Sequence, residues 1–147
     1  MKTVDLTQNH RGPSVTSEDL VGAWLLDEVR LSRGDRSARP RCRGTLLYTP
    51  SGHFSATVHV SSRRMPRLGK SLGYTGSYTV ERGVITHHTL VATWPFGAGS
   101  RQTRWATLIP GDDSADVLRL SGDPGGPVQF LLTWHRTAHA FGKGNIR

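Results

Sequence analysis

Between Gly73 and Arg104 the chain alternates with a period of two. Tyr74, Gly76, Tyr78 and Val80 are interleaved with Thr75, Ser77 and Thr79, and Glu81-Arg82-Gly83 interrupts before a second run from Val84 to Trp94. A period of two belongs to a strand with one face buried, and it excludes a helix here. Gly83 can take positive φ and so closes a tight hairpin. If Val80 faces Val84 across the three-residue turn, Tyr78 lies by Thr86, Gly76 by His88 and Tyr74 by Leu90. One face then carries Tyr74, Gly76, Tyr78, Thr86, His88, Leu90, Ala92 and Trp94. Aromatic bulk beside a titratable imidazole reads as the lining of a cavity rather than a plain core.

The rest of the chain repeats this grammar. Strands are expected at 22–31, 44–49, 53–60, 73–80, 84–94, 101–109, 117–121 and 128–136. Pro50-Ser51-Gly52, Pro110-Gly111-Asp112-Asp113 and the run from Asp123 to Pro127 are turns, with proline at a corner and glycine available for positive φ. With Thr49 facing His53, Tyr48 meets Phe54 and Leu46 meets Ala56. Eight strands joined in order by turns define an all-β, eight-stranded antiparallel up-and-down barrel with a central cavity. An interior of that size is either filled by side chains or holds one small ligand. Residues 16–137 are expected to form this domain, with flexible tails at 1–15 and 138–147. Ser17 is the expected N-cap of a single helical turn ahead of the first strand.

Alternate connections of such a barrel go to opposite ends. The turns at 50–52, 81–83 and 110–116 share one end, and the loops 32–43, 61–72, 95–100 and 123–127 share the other. Arg33, Arg36, Arg39, Arg41, Arg43, Arg63, Arg64, Arg67 and Lys70 would ring that mouth. The net charge is +8, which fits nucleic acid, an anionic small molecule or simply a well-solvated surface. Nucleic acid recognition also calls for an aromatic stacking platform on an outer face, and none is visible beside the basic loops, so no specific nucleic acid partner is expected. No run approaches the roughly 20 apolar residues of a membrane span, and the first residues lack the apolar core of a signal peptide. The lone Cys42 cannot form an internal disulfide and suits a reducing cytoplasm.

Carrying the parity along each strand sends Trp24, Leu26 and Glu28 inward, together with Tyr48, Phe54, Gln102, Arg104, Ala106, Leu108, Leu118, Leu120, Val128, Phe130, Leu132 and Trp134. Two readings are open for Arg104. A buried guanidinium keeps its charge and needs a partner. Either Glu28 or backbone carbonyls supply it, or Arg104 grips a carboxylate, enolate or polarised carbonyl of a ligand. His88 is either a satisfied core residue or a general acid or base, since an imidazole titrates near neutrality. Tyr74 and Tyr78 either fill space or orient His88 and donate to a ligand. These four are the candidate catalytic residues. Tyr48, Phe54, Trp94, Gln102, Phe130, Trp134 and Glu28 are candidate ligand contacts, with Trp94-Pro95-Phe96 as a candidate lid. Adjacent His87 and His88 point to opposite faces and cannot share a metal, so neither metal nor other cofactor is expected.

LVGAW at 20–24, GTLLYTPSGHFSA at 44–56, GYTGSYTV at 73–80, VITHHTL at 84–90, the strand holding Arg104 and LTWHR at 132–136 together resemble the bacterial lipocalin-like domain family. The resemblance covers roughly residues 17–136, and the basic loop at 61–72 departs from it. It implies a small lipocalin-type barrel and, since several members sit among natural-product biosynthesis enzymes, a place in such chemistry. The Gly22-x-Trp24 pair also resembles the lipocalin signature at the start of the first strand, which implies that Trp24 packs under the closed end against an arginine of the last strand, for which Arg136 is the match.

Two functions follow as expectations. One is a cofactor-independent cyclase or isomerase that folds a polyketide- or terpenoid-like intermediate inside the barrel and excludes water. The other is a carrier that sequesters a hydrophobic or amphipathic, anionic small molecule unchanged. Either would act as a monomer or homodimer.

Overall fold

The computed structural model describes residues 14–61, 69–93, 98–111, 115–122 and 128–137. A single turn of helix, α1 (Ser17–Leu20), precedes nine strands: β1 (Gly22–Arg33), β2 (Arg36–Ala38), β3 (Cys42–Tyr48), β4 (His53–Ser61), β5 (Gly69–Glu81), β6 (Val84–Ala92), β7 (Arg101–Ile109), β8 (Val117–Gly122) and β9 (Val128–Arg136). Every pairing is antiparallel, β1 through β3 to β9 follow one another around the wall, and β9 returns to β1. The result is a closed eight-stranded lipocalin-like barrel, with β2 an added short strand folded back on residues 31–33 of β1. Expected and observed strands coincide at 101–109 and 128–136. The Tyr48–Phe54 and Leu46–Ala56 pairs form as the Pro50 turn dictates. Among the described residues no helix is long and apolar enough to cross a membrane.

The hairpin between β5 and β6 differs from expectation. Only Arg82 and Gly83 make the turn, at φ 51° and 76°, and Glu81 pairs with Val84. Two positive φ values in sequence are the twist-matched type I′ geometry. The change from a three-residue to a two-residue connection slips the register by one, and a one-residue slip turns every side chain of a strand over. Ile85, His87 and Thr89 therefore face in, while Thr86, His88 and Leu90 face out. A bulge then restores the expected parity. Thr75 pairs with Val91 but Gly76 with Thr89, so Leu90 is the extra residue; Ala92 is on the inner face as expected, but it, and not the expected Leu90, lies opposite Tyr74.

A second bulge, between Leu26 and Glu28, reverses β1 in the same way. Val29 and Leu31 replace Glu28 on the inner face, opposite Leu132 and Phe130. Glu28 faces outward and pairs with Arg39 at 3.0 Å and Arg30 at 3.5 Å. Of the partners left open for Arg104, Glu28 is therefore not the one used.

The closed end is built from α1. Thr16, not Ser17, is the N-cap, and it exchanges bonds with Asp19 in a capping box. Val15, assigned by the sequence to the tail, is buried in the core. The Trp24 indole N–H donates to the Leu20 carbonyl at 2.9 Å, which ties the helix to the first strand. The Arg136 guanidinium lies 4.3 Å above the Trp24 ring and donates to Asp19 O, Val21 O and Asp116 Oδ2. A cation over an indole face contributes about 0.5–2 kcal/mol, and the three bonds join α1, the start of β1 and the approach to β8.

Candidate functional site

Immediately above this plug lies an aromatic floor. Tyr48 and Tyr78 pack edge to face at 4.7 Å, because Tyr48 ends β3 at the Thr49–Gly52 turn and the Tyr78 amide donates to the Gly52 carbonyl of the same turn. The Tyr78 hydroxyl donates to the Thr49 carbonyl at 2.9 Å. Tyr78 thus anchors a turn, and its phenol is committed to backbone. Phe54 and Ile85 complete the layer.

His87 stands on this floor. Its ring stacks on Phe54 at 4.2 Å, and both of its nitrogens meet phenols. Tyr48 Oη lies 2.7 Å from Nε2 and Tyr74 Oη 3.4 Å from Nδ1. A neutral imidazole has one donor and one acceptor nitrogen, so one tyrosine donates to it and the other accepts. Burial first, then the Arg104 charge and His88, lower the His87 pKa to about 3. Burial also raises the phenol pKa of both Tyr48 and Tyr74. The inner histidine is therefore neutral at physiological pH, held between two protonated phenols.

Arg104 comes from β7, opposite Ile85 and two residues from Gln102, the partner of His87. It is 5% exposed. Its guanidinium donates to the Thr103 carbonyl at 2.9 Å and, at 3.4 Å, to Gln102 Oε1. It bonds the Tyr74 hydroxyl and lies 4.8 Å from the centre of the Phe130 ring. Among the described residues no carboxylate pairs with it. Space for the group is made by Gly122. A Cβ there would come within 2.9 Å of Phe130 and 3.2 Å of an Arg104 nitrogen.

The structure thus gathers Tyr48, Phe54, Tyr74, Gln102, Arg104 and Phe130 into one inner cluster around His87. Trp134 is buried on the same inner face, at the level of Leu26 and Leu118, and its indole N–H has no partner among the described residues. The Thr89 hydroxyl, also buried, is likewise unpartnered. His88 and Glu28 are outside the cluster, and Tyr78 belongs to the floor. Trp94, its neighbours Pro95 and Phe96, and Arg63, Arg64 and Arg67 of the mouth fall outside the described residues. His87 is the member that sequence reasoning missed. The signal for it was Arg82-Gly83 read as a two-residue turn.

The fold and this cluster define a class: an all-β lipocalin-like barrel with a cationic and phenolic inner wall. The chain matches no protein-family model and no curated protein.

Proposed function

We propose that this barrel belongs with the bacterial lipocalin-like domains and binds a small amphipathic molecule whose anionic or polarised oxygen is held by Arg104. The observation that carries this reading is a guanidinium buried to 5% without a carboxylate partner among the described residues. A buried charge of that kind is costly unless matched, and a planar fork is suited to a carboxylate or enolate. Tyr74, already bonded to Arg104, is placed to donate to the same oxygen. The free thiol of Cys42 supports a reducing, cytoplasmic setting.

In its catalytic form the reading is a cofactor-independent cyclase or isomerase of a natural-product intermediate. The Tyr48–His87–Tyr74 chain favours it, because it can relay one proton between Tyr48 and a ligand at Tyr74. Tyr74 gives its proton to the ligand, His87 Nδ1–H replaces that proton and Tyr48 reprotonates Nε2; the phenolate left on Tyr48 is neutralised when the ligand returns a proton from another position along the same path, so the isomerisation is proton-neutral overall. Electrostatic stabilisation of the enolate falls to Arg104. The alternative, a non-catalytic carrier for the same kind of ligand, is favoured by the occupation of both imidazole nitrogens, which leaves His87 no lone pair facing a substrate.

The test is incubation of the wild-type protein, Tyr74→Phe and His87→Phe with β-keto acids and polyene intermediates, with binding followed by calorimetry and products by mass spectrometry. An enzyme converts at least one bound compound. Loss of the proton chain in either variant then lowers turnover by about 10²–10⁴-fold with binding retained. Binding with no conversion by the wild type makes the protein a carrier. No binding of any anion, or equal binding by Arg104→Met, overturns the reading.

A further inference from the structure

The wall of the barrel is incomplete on one side. The β1–β3 ladder runs only from Gly22–Tyr48 to Leu25–Thr45, and β1 is next bonded on that side at Leu31, by β2. Residues 26–30 of β1 and 42–44 of β3 therefore face one another without ladder partners. The bulge between Leu26 and Glu28 lies in this stretch and bends β1 away. A groove of about 490 Å³ occupies the opening, lined on the outside by Leu25, Arg43, His59 and His135 and on the inside by Leu26 and Gly44. Outer-face and inner-face residues line one groove, so it reaches from the surface to the core layer.

At its depth, Leu26 alone among the lining residues presents a side chain on the inner face. Gly44, beside it, has no side chain, and a Cβ at that position would meet Leu26 Cδ2 at 3.2 Å and the Thr57 carbonyl at 2.9 Å. One leucine, turning about its χ angles, can open or close the passage, and rotamer changes of this kind are fast and inexpensive. The rim is electrostatically selective. Arg43 is exposed and has no carboxylate partner among the described residues. His59 bonds Ser71, and of the two acidic groups on the bordering stretch of β1, Asp27 is engaged by His135 and Glu28 by Arg39 and Arg30. An apolar floor beneath an unpaired guanidinium complements a molecule with an anionic head and an apolar body.

We propose that the β1–β3 seam is a lateral binding groove for such an amphipathic anion, with Arg43 taking its head group and Leu26 as the gate through which its apolar end passes into the barrel. The inference rests on the interior anion site proposed above and adds the route to it. It predicts that ligand crosses the wall between two strands, so changes at the seam alter how fast ligand exchanges more than how tightly it is held.

The experiment is stopped-flow binding of dansyl-undecanoate, an apolar chain with a carboxylate head, to wild type, Leu26→Ala, Leu26→Phe and Arg43→Ala. Arg36→Ala, at the tip of the added hairpin, serves as the control, and thermal melts check folding. Leu26→Ala is expected to raise association and dissociation rates together by about tenfold, and Leu26→Phe to lower both, with Kd moving much less. Arg43→Ala should slow association and reduce its salt dependence. Should Leu26→Phe fail to fold, Leu26→Ala and Arg43→Ala still decide the matter. Rates unchanged in both overturn the lateral route. A Kd change carried by dissociation alone makes Leu26 a wall residue of the interior site and also overturns it. If Arg104→Met binds as tightly as wild type, the interior reading fails by itself, and total absence of binding removes both.

Discussion

Two arginines line the inside of this barrel, and they are held in opposite ways. Arg136 reaches away from its own strand, to Asp19, Val21 and Asp116, and covers the Trp24 ring. It has a carboxylate partner and joins three segments distant in sequence. Arg104 donates largely to its own strand, to the Thr103 carbonyl and Gln102 Oε1, and its bond across the barrel goes to a tyrosine. It fastens little together and has no counter-charge among the described residues. A guanidinium that closes a structure spends its donors on backbone and carboxylate. One arranged for a ligand keeps its charge uncompensated. The difference sets the structural closed end apart from the inner cluster proposed above to hold a ligand.

The strongest way to break that contrast is at the closed end itself. Trp24→Ala is expected to lose about 3–5 kcal/mol of stability, from a fully buried indole and the cavity it leaves, measured by urea denaturation. Arg136→Ala should cost about 2 kcal/mol, since charged hydrogen bonds are strong but this side chain is 30% exposed and partly screened. Ligand affinity of the folded fraction should not change. If Arg136→Ala abolished binding in a fully folded sample, the division between the two ends would be wrong. Arg104→Met should do the reverse. Its melting temperature should stay level or rise, because apolar volume replaces an uncompensated charge, while anion affinity falls about 30-fold or more by calorimetry.

The pH dependence sharpens the same point. The folded-state pKa of His87 is depressed to about 3 against 6.5 for a free imidazole. The unfolded chain then binds the extra proton between those values, so this residue makes stability fall as pH drops from about 6.5 toward 3. His87→Phe should flatten that part of the stability–pH curve in urea titrations. His88, on the outer face, provides the smallest effect. His88→Ala should change stability by less than about 0.5 kcal/mol and leave binding unaltered, and a large loss would return it to the inner wall.

The architecture was legible because it depends on features that are local in sequence. Pro50 and Gly52 set the β3–β4 register correctly, and alternation on β7 placed Arg104, Gln102, Ala106 and Leu108 inward without error. The position of the imidazole depended instead on a single residue of turn length. Arg82 takes φ 51°, a conformation that arginine seldom adopts, and the expected turn spared it that by using three residues. Tertiary pairing overrode the local preference, and His87 exchanged places with His88. Glu28 failed for a related reason. Its strand carries a bulge, and nothing in LLDEV announces where a strand will take an extra residue. Parity carries along a strand from its turn until a bulge inverts it, so inner residues are predictable only where the turn length and the position of every bulge are both known.

Gly122 has a consequence for how such a site is recognised or lost. It carries no functional group and would be passed over in any search for chemistry. Yet the guanidinium of Arg104 and the ring of Phe130 both occupy the volume that a methyl group at 122 would claim, with the Thr103 carbonyl 3.0 Å away on the third side. The proposed anion site is therefore partly defined by an atom that is missing. A single alanine there would displace the charge from its seat while leaving every polar residue in place, so a related barrel that kept Arg104, Tyr74 and His87 but had a side chain at this position would look intact by its motif and be chemically silent.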